Sequence, residues 1–458
     1  MTPRRAQSSG EAAKRKPKAP DGGRSRPARP RRSSRRASDA EIRDIVRRGV
    51  IEIIPEEEFL AGLRSNRKLR LKLGLDPSRP DLHIGHGVLL RKLRLLQDLG
   101  HQVVLIVGDW TARIGDPSGQ SITRPMLTAE EVRANAETYM RQFFHVVDQK
   151  RTEVRWQSEW FGTFSLEDVV RLASRFTVAQ LLQRDDFRQR FEAHEPLGLH
   201  ELLYPLLQAY DSIAMKADVE FGGSDQRFNL LLGRELQQAT GQQPQIVFIM
   251  RLLVGTDGVQ KMSKSLGNTI DFEDPPNEQY GKAMSVPDSA LPDYLELSTD
   301  LPDEELAHLQ GQLEERSVNP MEVKKRLARE IVAQFHGQAA AQQAEAEFER
   351  VFQKREAPEE TAIDVPWKDL PFAELRTVGI SPQEVLRKKG APVMVATLVS
   401  RALSVSMSEA RRLQEQGAIE VDGKRTTKAI VNVKRGSIVR IGRHRFLRIV
   451  DTGRKTTS

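Results

Sequence analysis

Two short segments of the sequence combine residue types that could bind and stabilise a polyphosphate. The first is Asp81-Leu82-His83-Ile84-Gly85-His86, in which two histidines are about one helical turn apart. The second is Lys261-Met262-Ser263-Lys264-Ser265, a pair of lysines in a loop flanked by glycines. Histidine donors at a helix N-terminus add to its positive dipole end, which favours phosphate. A glycine-flanked loop carrying two lysines can close on a polyphosphate and open again for release.

Each segment alone also allows a simpler interpretation. A histidine pair at the start of a helix is common in structural and metal-binding sites, and the lysine loop could be an ordinary solvated loop. No further Cys/His set stands beside the histidines, and the 458-residue chain has no cysteine, so thiolate metal sites and disulfides are excluded. The two segments together are more specific than either one.

A βαβ unit is predicted to position the histidines. Leu69–Leu75 alternates like a strand and is followed by a turn at Asp76. The helix predicted over His83–Leu99 has apolar residues at helical spacing and Gly100 as its C-terminal cap residue. Gln102–Val107 is an apolar run typical of a buried parallel strand. The predicted fold class is therefore α/β with a parallel sheet.

A third segment carries polar residues at helical spacing. Tyr204, Gln208 and Asp211 stand at positions i, i+4 and i+7, so one helix face can present all three side chains. The alternative is an ordinary buried helix whose few polar groups are satisfied by neighbours. A second polar run, Gly222-Gly223-Ser224-Asp225-Gln226, follows a little later.

These motifs resemble those of a known family. The histidine and lysine segments are similar to the HIGH and KMSKS signatures of class I aminoacyl-tRNA synthetases. The third segment and the run Gly222–Gln226 resemble tyrosyl-tRNA synthetases of the bacterial type, and Leu71–Gly119 resembles the second branch of that type. The resemblance covers about residues 40–290 most closely. It implies a Rossmann-like catalytic domain that binds ATP, followed by a helical domain and a small α+β RNA-binding domain. The Gly-x-Gly-x-x-Gly fingerprint is absent from the sequence.

The resemblance also assigns roles to residues. It implies that the two histidines and two lysines are catalytic and that Asp211 accepts the phenol hydroxyl. It also implies that the tyrosine amino group is bound by Asp116, Tyr204 and Gln208. Gln226 falls on a contact to the substrate carboxylate or ribose. The expected sets are catalytic His83, His86, Lys261 and Lys264; ATP-binding Gly85, Lys264 and Ser265; and tyrosine-binding Asp76, Asp116, Tyr204, Gln208, Asp211 and Gln226.

The chain departs from the better-known branch of the family at two positions. Lys72 stands where that branch has a tyrosine, and a lysine is usual there in the second branch. Gln120 replaces a family lysine after the Gly-Asp-Pro-Ser-Gly turn, whereas Arg124 matches a family arginine.

Charge is distributed unevenly along the chain. The net charge is +8, but residues 1–38 carry +11, residues 393–458 carry +9, and the part between them carries −12. Two basic ends on an acidic body indicate a polyanionic partner, although either end could be merely solvated. Residues 1–38 lack aromatic and nearly all aliphatic side chains, which predicts a disordered tail.

The predicted domains are the tail over 1–38, a catalytic domain over 39–288, a helical domain with connector over 289–390, and an RNA-binding domain over 391–458. In the last of these we expect helices at Pro392–Leu403 and Ser408–Gln416, a hairpin turn at Asp422-Gly423, and strands at Ile419–Val421, Ile438–Ile441 and Phe446–Val450. It resembles the small RNA-binding module of ribosomal protein S-four. The expected RNA-binding residues are Arg411, Arg412, Lys424, Arg425 and Lys428.

The predicted function is tyrosine activation with ATP and transfer to the 3′ end of tRNA(Tyr). ATP is expected with Mg²⁺, without a tightly bound cofactor or a metal site in the protein. The resemblance implies a homodimer, and we expect a cytoplasmic protein without a membrane segment. Three alternatives remain: a tryptophanyl-tRNA synthetase, a synthetase-like RNA-binding protein that has lost activation, and a small-molecule nucleotidyltransferase of the same superfamily.

Overall fold

The computed structural model describes residues 37–65, 67–78, 81–118, 126–353, 363–372, 390–442 and 445–451. The predicted disordered tail lies almost wholly outside the described residues, as do Gln120 and Arg124. The chain divides into two compact units. The first comprises Met1–Leu253 and Asp271–Glu273, and the second comprises Val254–Ile270 and Asp274–Ser458.

A six-stranded sheet forms the centre of the first unit, in the order β1-β6-β5-β2-β3-β4. All neighbouring strands are parallel except β1, which pairs antiparallel with β6. The strands are β1 Val50–Ile54, β2 Arg70–Leu75, β3 Gln102–Val107, β4 Thr152–Trp156, β5 Val219–Gly223 and β6 Ile246–Met250. The α/β prediction with a parallel sheet is therefore confirmed.

Helices connect and cover these strands. The helix predicted after β2 is present, with His83 at its N-cap and Gly100 at a positive φ of 102° just after its C-cap. The bounds are α1 Asp39–Arg47, α2 Glu56–Arg64, α3 Ile84–Asp98, α4 Thr111–Ile114, α5 Ala129–Phe143, α6 Ser158–Phe161, α7 Leu166–Ala173, α8 Val178–Leu181, α9 Asp185–Glu192, α10 Leu199–Met215 and α11 Arg227–Ala239.

The second unit begins with a loop and continues into helices. Its helical part is formed by α12 Pro276–Met284, α13 Leu291–Ser298, α14 Asp303–Glu314, α15 Pro320–His336 and α16 Gln338–Phe348. Buried residues such as Tyr280, Tyr294 and Leu327 have no exposed surface, so these helices have a core of their own.

A small α+β part closes the second unit. Its main sheet has the order β10-β9-β12-β13-β7, and a separate pair is formed by β11 and β8. The elements are β7 Ile363–Pro366, β8 Gly390–Met394, α17 Val395–Leu403, α18 Met407–Glu415, β9 Ile419–Val421, β10 Lys424–Arg425, β11 Ile430–Lys434, β12 Ile438–Ile441 and β13 Arg445–Val450. The hairpin predicted at Asp422-Gly423 joins β9 to β10, and both turn residues have positive φ.

Three details of this part differ from the sequence prediction. The helix predicted from Pro392 begins at Val395, because Pro392 lies in β8, paired with Asn432 of β11. Strand β11 was not predicted. The connector predicted within residues 289–390 contributes β7, which pairs in parallel with β13, and buries Trp367 in the core of this part.

None of the helices in the described ranges is long and apolar enough to cross a membrane.

Candidate active site

Polar side chains of the first unit follow the carboxyl ends of its parallel strands. The chain runs from β2 to β3 and β4 on one side of the sheet, and to β5 and β6 on the other. Ligands of open α/β sheets bind at such a reversal of strand order, beyond the carboxyl ends. Asp76 follows β2, Gly108 follows β3, Gln157 follows β4 and the turn containing Gln226 follows β5.

The two histidines lie at the N-terminus of α3, which begins after β2. The Nδ1 atom of His86 accepts the backbone N–H of His83 at 3.2 Å, and the two ring centroids are 3.9 Å apart. Because Nδ1 of His86 is an acceptor, a neutral ring carries its proton on Nε2. His86 can therefore donate a hydrogen bond from Nε2. Gly85 lies between the two histidines in the first turn of α3.

Asp211 is the most buried acid among the predicted tyrosine ligands, with 2% of its surface exposed. Its Oδ2 accepts from Nε2 of Gln157 at 2.8 Å, and its Oδ1 accepts from Nε1 of Trp160 at 3.1 Å. Burial raises the pKa of Asp211 to about 7, while the charge of Lys72 and the hydrogen bond from Gln157 act in the opposite direction. The site thus offers a buried carboxyl group whose oxygens are held by two fixed donors.

Tyr204 and Asp76 form a second group, linked to Asp211 through Thr111 and Gln157. The Tyr204 hydroxyl donates to Oδ2 of Asp76 at 2.8 Å, and Thr111 donates to Oδ1 of Asp76 at 2.6 Å. The Thr111 hydroxyl also lies 2.9 Å from the amide oxygen of Gln157. Burial raises the pKa of Tyr204 well above its ordinary value, so its phenol stays protonated. Since its proton is directed to Asp76, the Tyr204 oxygen can accept a hydrogen bond from a ligand.

Asp116, Gln226 and Gln208 are joined by a network of amides. Nε2 of Gln226 donates to Oδ2 of Asp116 at 2.8 Å. Asn229 donates through Nδ2 to the amide oxygens of Gln226 and Gln208, at 3.0 Å each. The structure therefore brings the six predicted tyrosine ligands of the first unit into two hydrogen-bonded groups, one with Asp76, Tyr204 and Asp211 and the other with Asp116, Gln208 and Gln226.

Lys72 lies inside the protein beneath this network and has 1% of its surface exposed. Its ammonium group is 2.8 Å from a carboxylate oxygen of Glu220, which is equally buried, and donates to the Ser212 hydroxyl at 2.8 Å and the Gln208 carbonyl at 3.0 Å. Lys72 therefore ties β2 to α10, the helix that carries Tyr204, Gln208 and Asp211.

The lysine loop belongs to the second unit. Lys261 forms an isolated antiparallel bridge with Val254, and Lys264 begins a single 3-10 turn that ends before Gly267, whose φ is +65°. Asn268 holds the loop by accepting the backbone N–H of Ser263 at 2.8 Å and donating to Asp257 at 2.7 Å. Met262 is buried, whereas Lys261 and Ser265 are exposed. The loop is thus anchored by one buried apolar residue, with Lys261 exposed and Lys264 half-buried.

The five predicted RNA-binding residues are exposed in the α+β part of the second unit. Two lie on α18, two form β10, and one follows β10; in chain order they are Arg411, Arg412, Lys424, Arg425 and Lys428. Arg425 is 3.3 Å from Glu420 and Arg412 is 3.5 Å from Glu409, so two of the five have an acidic neighbour.

Sequence reasoning missed several residues that hold the predicted ligands. Gln157 and Trp160 contact Asp211, Arg184 and Asn229 contact the amide network, and Glu220 pairs with Lys72. A signal existed for Gln157, because it follows a parallel strand at the edge where ligands bind. A signal also existed for Asn229, because it stands three residues after Gln226 and residues at this spacing are neighbours on a helix. Nothing in the sequence pattern distinguishes Arg184, since it precedes α9 and meets the network only through the tertiary fold.

Within the described residues no group of three or more His, Cys, Asp or Glu side chains is arranged to hold a metal ion.

Comparisons with known proteins place this site in a family context. Residues 64–353 match the model of the family described as tRNA synthetases class I (W and Y). The "Tyrosine--tRNA ligase" of Dehalococcoides mccartyi strain CBDB1 is 54% identical over 413 residues, which are 90% of this chain and 99% of that protein. The protein of the same description from Thermotoga maritima is 48% identical, covering 88% of this chain and 96% of the relative.

Solved structures resemble the fold at lower identity. The structure described as tyrosyl-tRNA synthetase complexed with L-tyrosine from Archaeoglobus fulgidus is 24% identical with a TM-score of 0.55, and covers 67% of this chain and 99% of that one. A C-terminally truncated mitochondrial tyrosyl-tRNA synthetase from Aspergillus nidulans is 23% identical with a TM-score of 0.56, and covers 68% and 94% of the two chains. At this identity the likeness concerns the fold alone.

Proposed function

Because this chain belongs to the tyrosyl-tRNA synthetases of class I, we propose that it is a tyrosine–tRNA ligase. It activates L-tyrosine with ATP to tyrosyl adenylate and transfers the tyrosyl group to the 3′ end of tRNA(Tyr). The observation that carries the proposal is the set of hydrogen-bonded polar side chains in the first unit. The buried Asp211 can accept a phenol hydroxyl, and Asp116, Tyr204 and Gln208 offer acceptors for an amino group.

The first step needs no protein nucleophile. The substrate carboxylate attacks the α-phosphorus of ATP, a carboxyl–phosphorus bond forms, and the bond to the bridging oxygen breaks to release pyrophosphate. Catalysis is then mostly positioning and stabilisation of the charge that develops on the phosphates. We assign this stabilisation to His83 and His86, with Nε2–H of His86 as a donor, and the binding of the departing pyrophosphate to Lys261 and Lys264. Gly85 and Ser265 contact ATP in this proposal.

In the second step, a hydroxyl of the terminal ribose of tRNA attacks the carbonyl carbon of tyrosyl adenylate. An ester bond forms, the bond between the carbonyl carbon and the phosphate oxygen breaks, and AMP leaves with that electron pair while the hydroxyl proton passes to a phosphate oxygen or to solvent. Gln226 is assigned to the substrate carboxylate or ribose. Asp76 acts through Tyr204, whose hydroxyl it orients. The Mg²⁺ ion enters as part of the ATP complex, bound to phosphate oxygens.

Two further proposals concern partners. The exposed basic residues of the C-terminal α+β part bind tRNA phosphates, because such contacts are electrostatic and need accessible cations. We also propose a homodimer, which the family resemblance implies, and the candidates for its interface are five exposed large apolar side chains on α7–α10. They are Leu166, Val170, Val178, Phe191 and Leu199. We place the enzyme in the cytoplasm, where its RNA substrate is used.

The test is amino acid-dependent exchange of labelled pyrophosphate into ATP by the purified full-length chain. We expect exchange with L-tyrosine and none with L-tryptophan or L-phenylalanine at the same concentration. Exchange driven by tryptophan alone would identify the other specificity of the family. Binding of tRNA without exchange from any amino acid would instead indicate an RNA-binding protein that has lost activation.

A further inference from the structure

The amides that surround the predicted amino-group ligands form a chain of hydrogen bonds with a fixed direction. At one end lies Arg184, a buried guanidinium with 4% of its surface exposed. Its Nε and Nη2 atoms donate to the two carboxylate oxygens of Asp186, at 2.7 and 2.8 Å. Nη2 also donates to the Ser118 hydroxyl at 2.8 Å, and Nη1 donates to Oδ1 of Asn229 at 3.3 Å. Asp186 thus anchors the arginine, which has donors left for the network.

The direction follows from the chemistry of the end groups. Arginine has donors but no acceptor, so Asn229 must face Arg184 with its oxygen. Both N–H bonds of the Asn229 amide then point away, toward Gln208 and Gln226. The amide oxygens of Gln208 and Gln226 must therefore accept these two hydrogen bonds.

The other ends of the chain are carboxylates, which only accept. Nε2 of Gln208 donates to Glu220 at 3.2 Å, and Nε2 of Gln226 donates to Asp116 at 2.8 Å. Lys72 in turn holds the buried Glu220 carboxylate. Rotating any one amide by half a turn would set donor against donor or acceptor against acceptor at both of its ends. Such unsatisfied contacts are costly inside a protein.

We propose that Arg184 and Asn229 are positioning residues that set the orientation of the Gln208 amide and thereby make the amino-group site of the tyrosine pocket accept hydrogen bonds. This inference rests on the proposed tyrosine-activating function. The Gln208 oxygen takes one hydrogen bond from Asn229 and has a second lone pair for the substrate ammonium group. With the amide reversed, its NH₂ group would oppose that positive charge. Neither Arg184 nor Asn229 needs to touch the substrate for this effect.

The decisive experiment compares two ligands that differ only in the amino group. L-Tyrosine and 3-(4-hydroxyphenyl)propionate share the phenol and the carboxylate, and their affinities are measured for the wild type and for Asn229→Leu. Leucine has nearly the shape of asparagine but neither donates nor accepts. We expect tyrosine to bind about tenfold to hundredfold more weakly to the variant, and the propionate to change less than about threefold.

Gln237→Met serves as the matched control. Gln237 is a fully buried amide on the same helix, α11, and its hydrogen bonds go to the backbone of Ser212, Ala217 and Gln245 rather than to the predicted ligands. The control should not change the ratio of the two affinities, even if it lowers the thermal stability. An equal loss for both ligands in Asn229→Leu, or no loss for either, would overturn the proposal.

A second variant keeps the test decisive if Asn229→Leu does not fold. Arg184→Lys retains the buried charge opposite Asp186, but a single ammonium group cannot reproduce the planar fork that contacts Asp186, Ser118 and Asn229 together. We expect the same selective loss of tyrosine affinity, and an unchanged ratio would refute the proposal. The pyrophosphate exchange assay on the wild type tests the proposed function separately. Failure of the proposed function would abolish exchange by the wild type, whereas failure of this inference would leave that exchange intact and the affinity ratio of the variants unchanged.

Discussion

At the scale of single residues, Asp211 shows how burial sets the properties of a recognition group. Its carboxyl group has almost no exposed surface, and the buried position raises its pKa to about 7. Gln157 and Trp160 hold its two oxygens in place. An acceptor held in this way stays in position when no phenol hydroxyl is bound.

The raised pKa predicts a dependence of stability on pH. Between about pH 4 and pH 7 the folded protein binds the Asp211 proton, whereas the unfolded chain, with an ordinary pKa of 3.8, has released it. The folded state holds more protons, so the contribution of Asp211 to the free energy of unfolding falls as the pH rises through this range. Relative to wild type, Asp211→Asn should gain stability from pH 4 to pH 8, by an amount on the order of a few kcal/mol. Urea unfolding of both proteins at several pH values measures this difference, and a constant difference across the range would contradict the assignment.

The helix that carries three of the predicted ligands was the most predictable part of the candidate site. The spacing of Tyr204, Gln208 and Asp211 correctly predicted one helix, and the family resemblance supplied Asp116 and Gln226. The residues that hold those ligands were not predictable in the same way. Trp160 lies in α6, Arg184 just before α9, and Glu220 in β5, and their contacts depend on how separate elements pack, which a local pattern does not encode.

At the scale of elements, the ends of the parallel strands position the chemistry. Asp76 follows β2, and Gly108 follows β3 beside it. A Cβ atom at Gly108 would overlap the Asp76 carboxylate and come within 2.5 Å of the Thr111 hydroxyl oxygen. Glycine at this strand end therefore leaves the space that the Asp76–Tyr204 hydrogen bond requires.

This predicts the effect of a single methyl group. Gly108→Ala should displace Asp76 from Tyr204 and raise the KM for tyrosine by about tenfold or more, because the Tyr204 hydroxyl is then without the acceptor that orients it. Gly74→Ala is the matched control, since a Cβ atom there meets nothing within 4 Å and the residue lies in the adjacent strand β2. Pyrophosphate exchange at varied tyrosine concentration measures both variants. Equal KM values for Gly108→Ala and wild type would refute this role for the strand end.

The elements themselves were predicted well where the hydrophobic pattern is regular. The βαβ unit from β2 to β3 is the clearest case, since its helix is bounded by a histidine motif and a glycine. The prediction failed around Pro392, because the turns that separate short strands carry little hydrophobic periodicity. Strand β7 was not predicted, because it is formed by pairing with β13, which is far away in the chain.

At the scale of the whole molecule, net charge distinguishes the body of the chain from the C-terminal part that is predicted to bind RNA. The body of the chain, residues 39–392, carries a net charge of −12, whereas residues 393–458 carry +9. The six predicted tyrosine ligands lie in the first unit, and the exposed basic residues predicted to bind RNA lie in the second. Charge in the C-terminal part should therefore affect the tRNA step and leave amino acid activation unchanged.

A charge-removal experiment measures this separation. Replacing Arg411, Lys424 and Lys428 with alanine should weaken tRNA binding and reduce the dependence of affinity on salt by about one unit of log–log slope for each phosphate that is no longer neutralised. Tyrosine-dependent pyrophosphate exchange should keep its wild-type rate, because none of the three side chains is among the residues predicted to bind tyrosine or ATP. Alanine at Arg316, an exposed arginine outside the C-terminal part, provides the control for a general reduction of positive charge. Unchanged tRNA affinity in the triple variant would exclude this surface as the RNA-binding site.

The most direct test of the account is a crystal structure of the protein with a nonhydrolysable tyrosyl adenylate analogue. We expect the phenol oxygen within hydrogen-bonding distance of an Asp211 oxygen, and the amino group within the same distance of Asp116, Tyr204 and Gln208. We also expect the phosphate next to the N-terminus of α3, with Nε2 of His86 directed toward it. A bound analogue whose phenol lies away from Asp211, or whose amino group meets the Gln208 nitrogen, would contradict the proposed site.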